Sequence, residues 1–196
     1  MRKYSKLRFV LNMIPAMLGW AALMLAVWGL IFMRLDDAPS AKKLVIYTDC
    51  TLTDSRRAII ALEDACGVSG SSPGIFDDAD ICKIKLRPTS YSIMGESPAL
   101  DGDIFIISES RLDEVKEYFS PLPDEIASSF EVYSIEGVAI GALIGDPNAG
   151  RYFYEDTLHY EKGERYYLCF GINSRHTGAD DSAAYALAEY MLSQAN

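Results

Sequence analysis

Two patterns of apolar and polar positions divide this chain. From Phe9 to Met33 it runs 25 residues without a charge, and Asn12 is the one strongly polar side chain in the run. As a helix rising 1.5 Å per residue, the run covers about 37 Å, enough to cross a ~30 Å hydrocarbon core with some tilt. This predicts a retained membrane-spanning helix. The competing reading is a cleaved signal peptide, whose apolar region is roughly 7–15 residues with a small-x-small site just beyond it. Here the nearest such site, Ala38 to Ala41, lies several residues too far out.

Beyond the apolar run the periods shorten. Leu44–Thr48 is a β-branched apolar run that predicts a buried strand. Thr53 or Asp54 then caps a helix to Cys66, with Ala58, Ile59, Leu62, Ala65 and Cys66 on one face and Gly67 as its stop. Gly67–Ala79 is loop-like in composition. Ile81–Arg87 alternates, with Cys82, Ile84 and Leu86 on one side and Lys83, Lys85 and Arg87 on the other, as an edge strand does. Pro88–Gly102 is irregular.

Asp103–Ser108 is continuously apolar from Ile104 to Ile107 and predicts a central strand. Ser110 opens the following helix as an S-x-x-D cap, burying Leu112, Val115, Tyr118 and Phe119, and Pro121 and Pro123 close it. Asp124–Phe130 is a short helical piece, Val132–Ile144 two strands turning near Glu136-Gly137, and Gly145–Gly163 mostly loop. Tyr166–Ile172 is a further strand. Asp180–Gln194 is an amphipathic helix burying Ala183, Ala184, Leu187, Ala188, Met191 and Leu192. The expected fold class is therefore α/β: a transmembrane helix, then one domain with a mostly parallel mixed sheet flanked by helices. The expected division is a cytoplasmic tail (1–8), a span (9–33), a tether (34–42) and an extracytoplasmic domain (43–196).

Charge sets the orientation. Arg2, Lys3, Lys6 and Arg8 precede the span without an acidic residue, whereas Arg34, Lys42 and Lys43 follow it interrupted by Asp36 and Asp37. The positive-inside rule places the N-terminus in the cytoplasm of a single-pass cell-membrane protein. After residue 43 the chain carries 11 basic and 26 acidic side chains, net −15. That balance argues against a nucleic-acid surface on the domain.

The four cysteines, Cys50, Cys66, Cys82 and Cys169, permit two disulfides in three connectivities. Cys66 ends the first helix and Cys82 begins the second strand, so both fall at one end of the same βαβ unit. Closing that loop of 15 residues would be worth ~3 kcal/mol in the chain-entropy view. No C-x2-C spacing suggests zinc, and no metal or cofactor is expected. His159 and His176 fall in loops without a metal-pair spacing or nucleophile motif, and are expected at the surface.

Three stretches together resemble one lobe of the bacterial extracellular solute-binding proteins that serve ABC importers. They are KLVIYTDC with SRRAIIALEDA, then GDIFIISESRLDEVKEYFSPL, then YYLCFGINSRHTGADDSAAYALAEYML. The resemblance implies a non-enzymatic binding or interaction domain, working with a membrane partner such as a transporter permease and a small solute. Family members have two lobes, and the interval Gly145–Gly163 is too short to hold the second. Open α/β sheets bind ligands at the carboxyl ends of their strands. That rule selects Asp49, Cys50 and Thr51 after the first strand, and Ser108, Glu109 and Ser110 after the central one; caps and turns use the same residue types.

A second resemblance offers an alternative. VIYTDCTLTD is similar to the nucleophile loop of haloacid-dehalogenase-type phosphatases, and ALIGDPNAG to their magnesium loop. It implies an anchored phosphohydrolase using Asp49 and a divalent metal. Thr51 and Ala149 stand where that pattern has aspartates.

Overall fold

The computed structural model describes residues 2–35, 38–68, 75, 81–89, 101–178 and 181–195. The chain divides into two units, Met1–Ala38 and Pro39–Asn196. The first is one helix, α1 (Arg2–Leu35), with Pro15 inside it. Its Met13–Ile31 stretch has a mean hydropathy of 2.0 and is long and apolar enough to cross a membrane. By length and composition such a helix serves as a membrane anchor or as a signal sequence.

In the second unit, alternation fixes which side chains face which way. A short 3-10 turn (Ser40–Lys42) leads into β1 (Lys43–Thr48), followed by β2 (Thr51–Leu52), α2 (Ser55–Ala65), β3 (Lys83–Pro88) and β4 (Ile104–Ser108). Next come α3 (Glu109–Val115), a 3-10 turn (Lys116–Tyr118), β5 (Phe119–Ser120), α4 (Asp124–Ser129), β6 (Val132–Ile135) and β7 (Val138–Gly145). The chain closes with β8 (Leu158–His159), β9 (Tyr166–Gly171) and α5 (Ala183–Gln194). The main sheet runs β3-β1-β4-β9-β7-β6, with β5 also on β9, while β2 and β8 pair separately.

The sheet corrects one expectation. β1 is parallel to β3 and to β4, but β9 is antiparallel to β4, β5 and β7, and β6 to β7. It is a mixed sheet whose antiparallel pairings outnumber the parallel ones. One of the antiparallel pairings is the β6–β7 hairpin. Glu136 and Gly137 both have positive φ, 53° and 84°, the conformation of a tight two-residue turn. The hairpin returns the chain antiparallel, and β9 pairs with it in the same sense.

Helices cover both faces. On one, Leu44, Ile46, Ile84, Ile104, Ile106, Leu168 and Phe170 pack with Ala58 and Leu62 of α2 and Ala184, Leu187, Ala188 and Met191 of α5. On the other, Val45, Tyr47, Phe105, Ile107, Tyr167 and Cys169 pack with Leu112, Val115 and Phe119. Asp54 caps α2, its Oδ1 accepting from the Arg57 amide at 3.0 Å. Ser110 does not cap α3. The helix starts at Glu109 with Ser108 in the cap position and no side-chain cap bond, so Ser110 lies inside its first turn. In α5, all six side chains expected to be buried are buried. Most of Gly67–Ala79 and of Pro88–Gly102, read as loop from composition, lies outside the described residues.

Cys66 and Cys82 are free, Cys66 buried and Cys82 exposed, so the expected disulfide is not formed. β3 begins only at Lys83, and Cys82 is turned outward, with its amide donating to the Lys42 carbonyl at 2.9 Å and its Sγ at 3.4 Å. Ile81 takes the inward position instead.

Candidate functional site

The carboxyl ends of β1 and β4 bring three of the six candidate residues together. The Asp49 amide donates to the Ile106 carbonyl at 2.8 Å, holding the turn after β1 against β4. Asp49 Oδ2 accepts from the Ser108 amide at 3.2 Å and from Ser108 Oγ at 3.5 Å. Ser110 Oγ lies 3.4 Å from Ser108 Oγ. The group that completes this cluster, Arg111, was not among the candidates: its Nη1 pairs with Asp49 Oδ1. The Asp49 side chain is 5% exposed and that of Arg111 15%. Burial raises the Asp49 pKa above the ordinary carboxylate value, against the opposing pull of Arg111 and Ser108.

The remaining candidates separate from this cluster. Cys50 turns into the core, where burial pushes its thiol up to about 12. Thr51 is exposed and paired with His159 in the small β2–β8 ladder. The Glu109 amide donates to the Arg165 carbonyl at 2.7 Å, and the Ser110 amide to Glu164 Oε2 at 3.4 Å. The cluster therefore locks β1, β4 and α3 together, with Asp49 held by an arginine and a serine. A carboxylate so engaged is a poor nucleophile for phosphorus. Asp146, of the loop resembling a magnesium loop, closes its own turn, accepting from the Asn148 and Ala149 amides at 2.9 and 3.2 Å. Its other oxygen lies 3.3 Å from Arg165 Nε. Among the described residues no group of three His, Cys, Asp or Glu side chains could hold a metal ion.

A cleft of about 220 Å³ opens elsewhere, on the Val45–Tyr47 face of the sheet. Its cations come from three segments: Lys43 from β1, Arg87 from β3 and Arg175 from the turn after β9. Asp101, Asp103, Asn173 and His176 supply the other polar groups. Asp103 and His176 are 3% and 1% exposed, so His176 is not the surface residue its loop suggested. Asp103 Oδ2 accepts from the Val45 amide at 2.8 Å and Oδ1 from Ser174 Oγ at 2.7 Å. Ser174 Oγ in turn accepts from the His176 amide at 3.1 Å, and His176 Nδ1 meets Asp181 Oδ2 at 2.7 Å. Burial raises the Asp103 pKa, opposed by Ser174, Val45 and His176.

Tyr47, which lines the cleft, stacks on Phe105, ring centroids 5.4 Å apart. A Cβ on Gly102 would come within 2.5 Å of Phe105 Cζ and 2.7 Å of Tyr47 Cδ2, so only glycine lets the backbone pass beneath the rings. A Gly-Asp pair before a strand is visible in sequence; that its aspartate braces the turn carrying Asn173 and Arg175 is not.

No protein-family model matches the chain, and no curated protein matches it. Among solved structures, thiaminase I from Bacillus thiaminolyticus is similar at a TM-score of 0.30 and 19% identity, over 50% of this chain and 27% of that one. That degree of likeness transfers neither a fold nor an activity. The expectation of a non-enzymatic domain is withdrawn: thiaminase I is an enzyme, and so weak a likeness establishes neither the presence nor the absence of an activity in this chain. What stands is an α/β unit with a mixed sheet, preceded by one apolar helix of membrane-spanning length.

Proposed function

We propose that this chain is a membrane-anchored extracytoplasmic binding domain, resembling one lobe of a bacterial solute-binding protein, that works beside a membrane partner such as a transporter permease. The observation that carries this reading is a preformed polar cleft on an α/β unit that follows an apolar helix of spanning length. Two further points support it. The three stretches that carry the family resemblance supply β1 with α2, β4 with α3, and β9 with α5, and β1, β4 and β9 are neighbours in the sheet. The basic cluster Arg2, Lys3, Lys6 and Arg8 before the span favours a cytoplasmic N-terminus.

The reading is tested with the full chain, tagged at its C-terminus, in bacterial spheroplasts. Added protease is expected to remove the tag without lysis, and mild crosslinking followed by solubilisation is expected to recover a membrane protein with the chain. A tag protected until lysis would overturn the extracytoplasmic placement. A chain recovered alone under every crosslinker would overturn the partner.

A further inference from the structure

Resting on the reading as a binding domain, we propose that the cleft between Lys43, Arg87 and Arg175 is a site for a small hydroxylated oxyanion, a phosphate or carboxylate on a short polyol skeleton. The unit that carries it, Pro39–Asn196, is strongly acidic, with 13 basic against 26 acidic side chains. Yet alternation along β3 puts Lys83, Lys85 and Arg87 on one face, and the register sets Arg87 beside Tyr47 and Lys83 beside Lys43. The cations are gathered on one part of one face. In an acidic protein such a patch is where an anion finds favourable potential.

The rest of the lining narrows the ligand. Two guanidinium groups and an ammonium suit an oxyanion, which arginine holds with paired hydrogen bonds. Asp101 and Asn173 add acceptors and a donor at the rim, matching hydroxyls rather than a second anionic group. The turn bearing Asn173 and Arg175 is fixed before any ligand arrives. The Ser174 amide donates to the Gly171 carbonyl at 3.0 Å, its Oγ to Asp103, and His176 is held to Asp181. Little ordering cost then falls on binding. The volume, about 220 Å³, lies below the ~300–1,000 Å³ of pockets for drug-sized ligands and suits a small metabolite.

Glycerol 3-phosphate, glycerate and glycerol are titrated by calorimetry into the full chain in non-ionic detergent. Glycerol 3-phosphate or glycerate is expected to bind and glycerol not. Arg175→Ala and Arg87→Ala should each weaken binding by about tenfold. Both side chains are exposed, so circular dichroism should be unchanged in either variant. Binding that survives both substitutions, or glycerol binding as tightly as its phosphate, would overturn the assignment. So would failure of both anions to bind. A phosphate ligand could be a free solute or a lipid headgroup, and nanodiscs separate the two. Competition by phosphatidylglycerol would assign the site to a headgroup, and binding undiminished in such discs to a free solute; either supports the oxyanion site. Failure of the anions alongside an accessible tag and a recovered membrane partner would remove the ligand class and leave the proposed function intact.

Discussion

Asp49 and Arg111 form a nearly dry ion pair, and its energetics are asymmetric. Removing one partner leaves the other charge buried without compensation, whereas removing both leaves only a polar contact to lose. Arg111→Met is therefore expected to cost about 3 kcal/mol in urea unfolding, and adding Asp49→Asn should restore part of it. Asp103 gives a pH signature. Its pKa is raised in the fold, chiefly by burial. Between the ordinary carboxylate range and that raised value, the folded state binds more protons than the unfolded one. Its contribution to stability thus falls as pH rises through this window and is flat above it. Asp103→Asn should flatten that part of the stability-versus-pH curve measured by urea unfolding; an unchanged slope would assign the dependence to other groups. At this scale the end-of-strand rule located Asp49, Ser108 and Ser110 but not Arg111. Nothing in local spacing says that a side chain in the first turn of α3 reaches back to the loop after β1. His176 was missed as well: its ring meets Asp181 and its amide donates to Ser174, contacts that a loop-like composition does not announce.

Elements were legible where one pattern dominated. The apolar runs marked β1, β4 and β9, the 3.6 period marked α5, and Glu136-Gly137 marked the hairpin, each within a few residues. Strand direction was not legible. A run such as Tyr166–Gly171 reads alike in either sense, and the segment between β7 and β9, mostly turn, conceals which way the chain re-enters the sheet. The edge character of β3 followed from its alternating lysines, yet the cleft those cations help to build needed the register with β1. The Tyr47–Phe105 stack offers an element-level test. In Gly102→Ala the new methyl must displace the Phe105 and Tyr47 rings that stack across β1 and β4. A loss of about 1–3 kcal/mol is expected in thermal unfolding, typical of overpacking. A variant as stable as the parent would show that the rings move freely.

At the scale of the whole molecule, the composition joins two unlike parts in one chain: an apolar helix and an acidic α/β unit, Pro39–Asn196, of net −13. That division was legible from charge and hydropathy alone, because it rests on totals and not on contacts. The mixed sheet of the second unit has a further consequence, for the order in which the sheet assembles. The β6–β7 pairing closes over a two-residue turn, and β9 joins β7 after a modest loop. The parallel pairings of β1 with β3 and β4 each close a longer stretch of chain around a crossover. Loop closure costs more entropy as the loop lengthens, and non-local pairings slow folding. Pulse-labelled hydrogen exchange during refolding is therefore expected to protect amides of Val138–Gly145 before those of Lys43–Thr48. Simultaneous protection would mean a nucleus that spans both halves. With hairpin-first assembly, the edge strand β3, which bears Arg87, would dock onto a sheet begun from its far side, and the cationic cleft would be among the last parts of the molecule to exist.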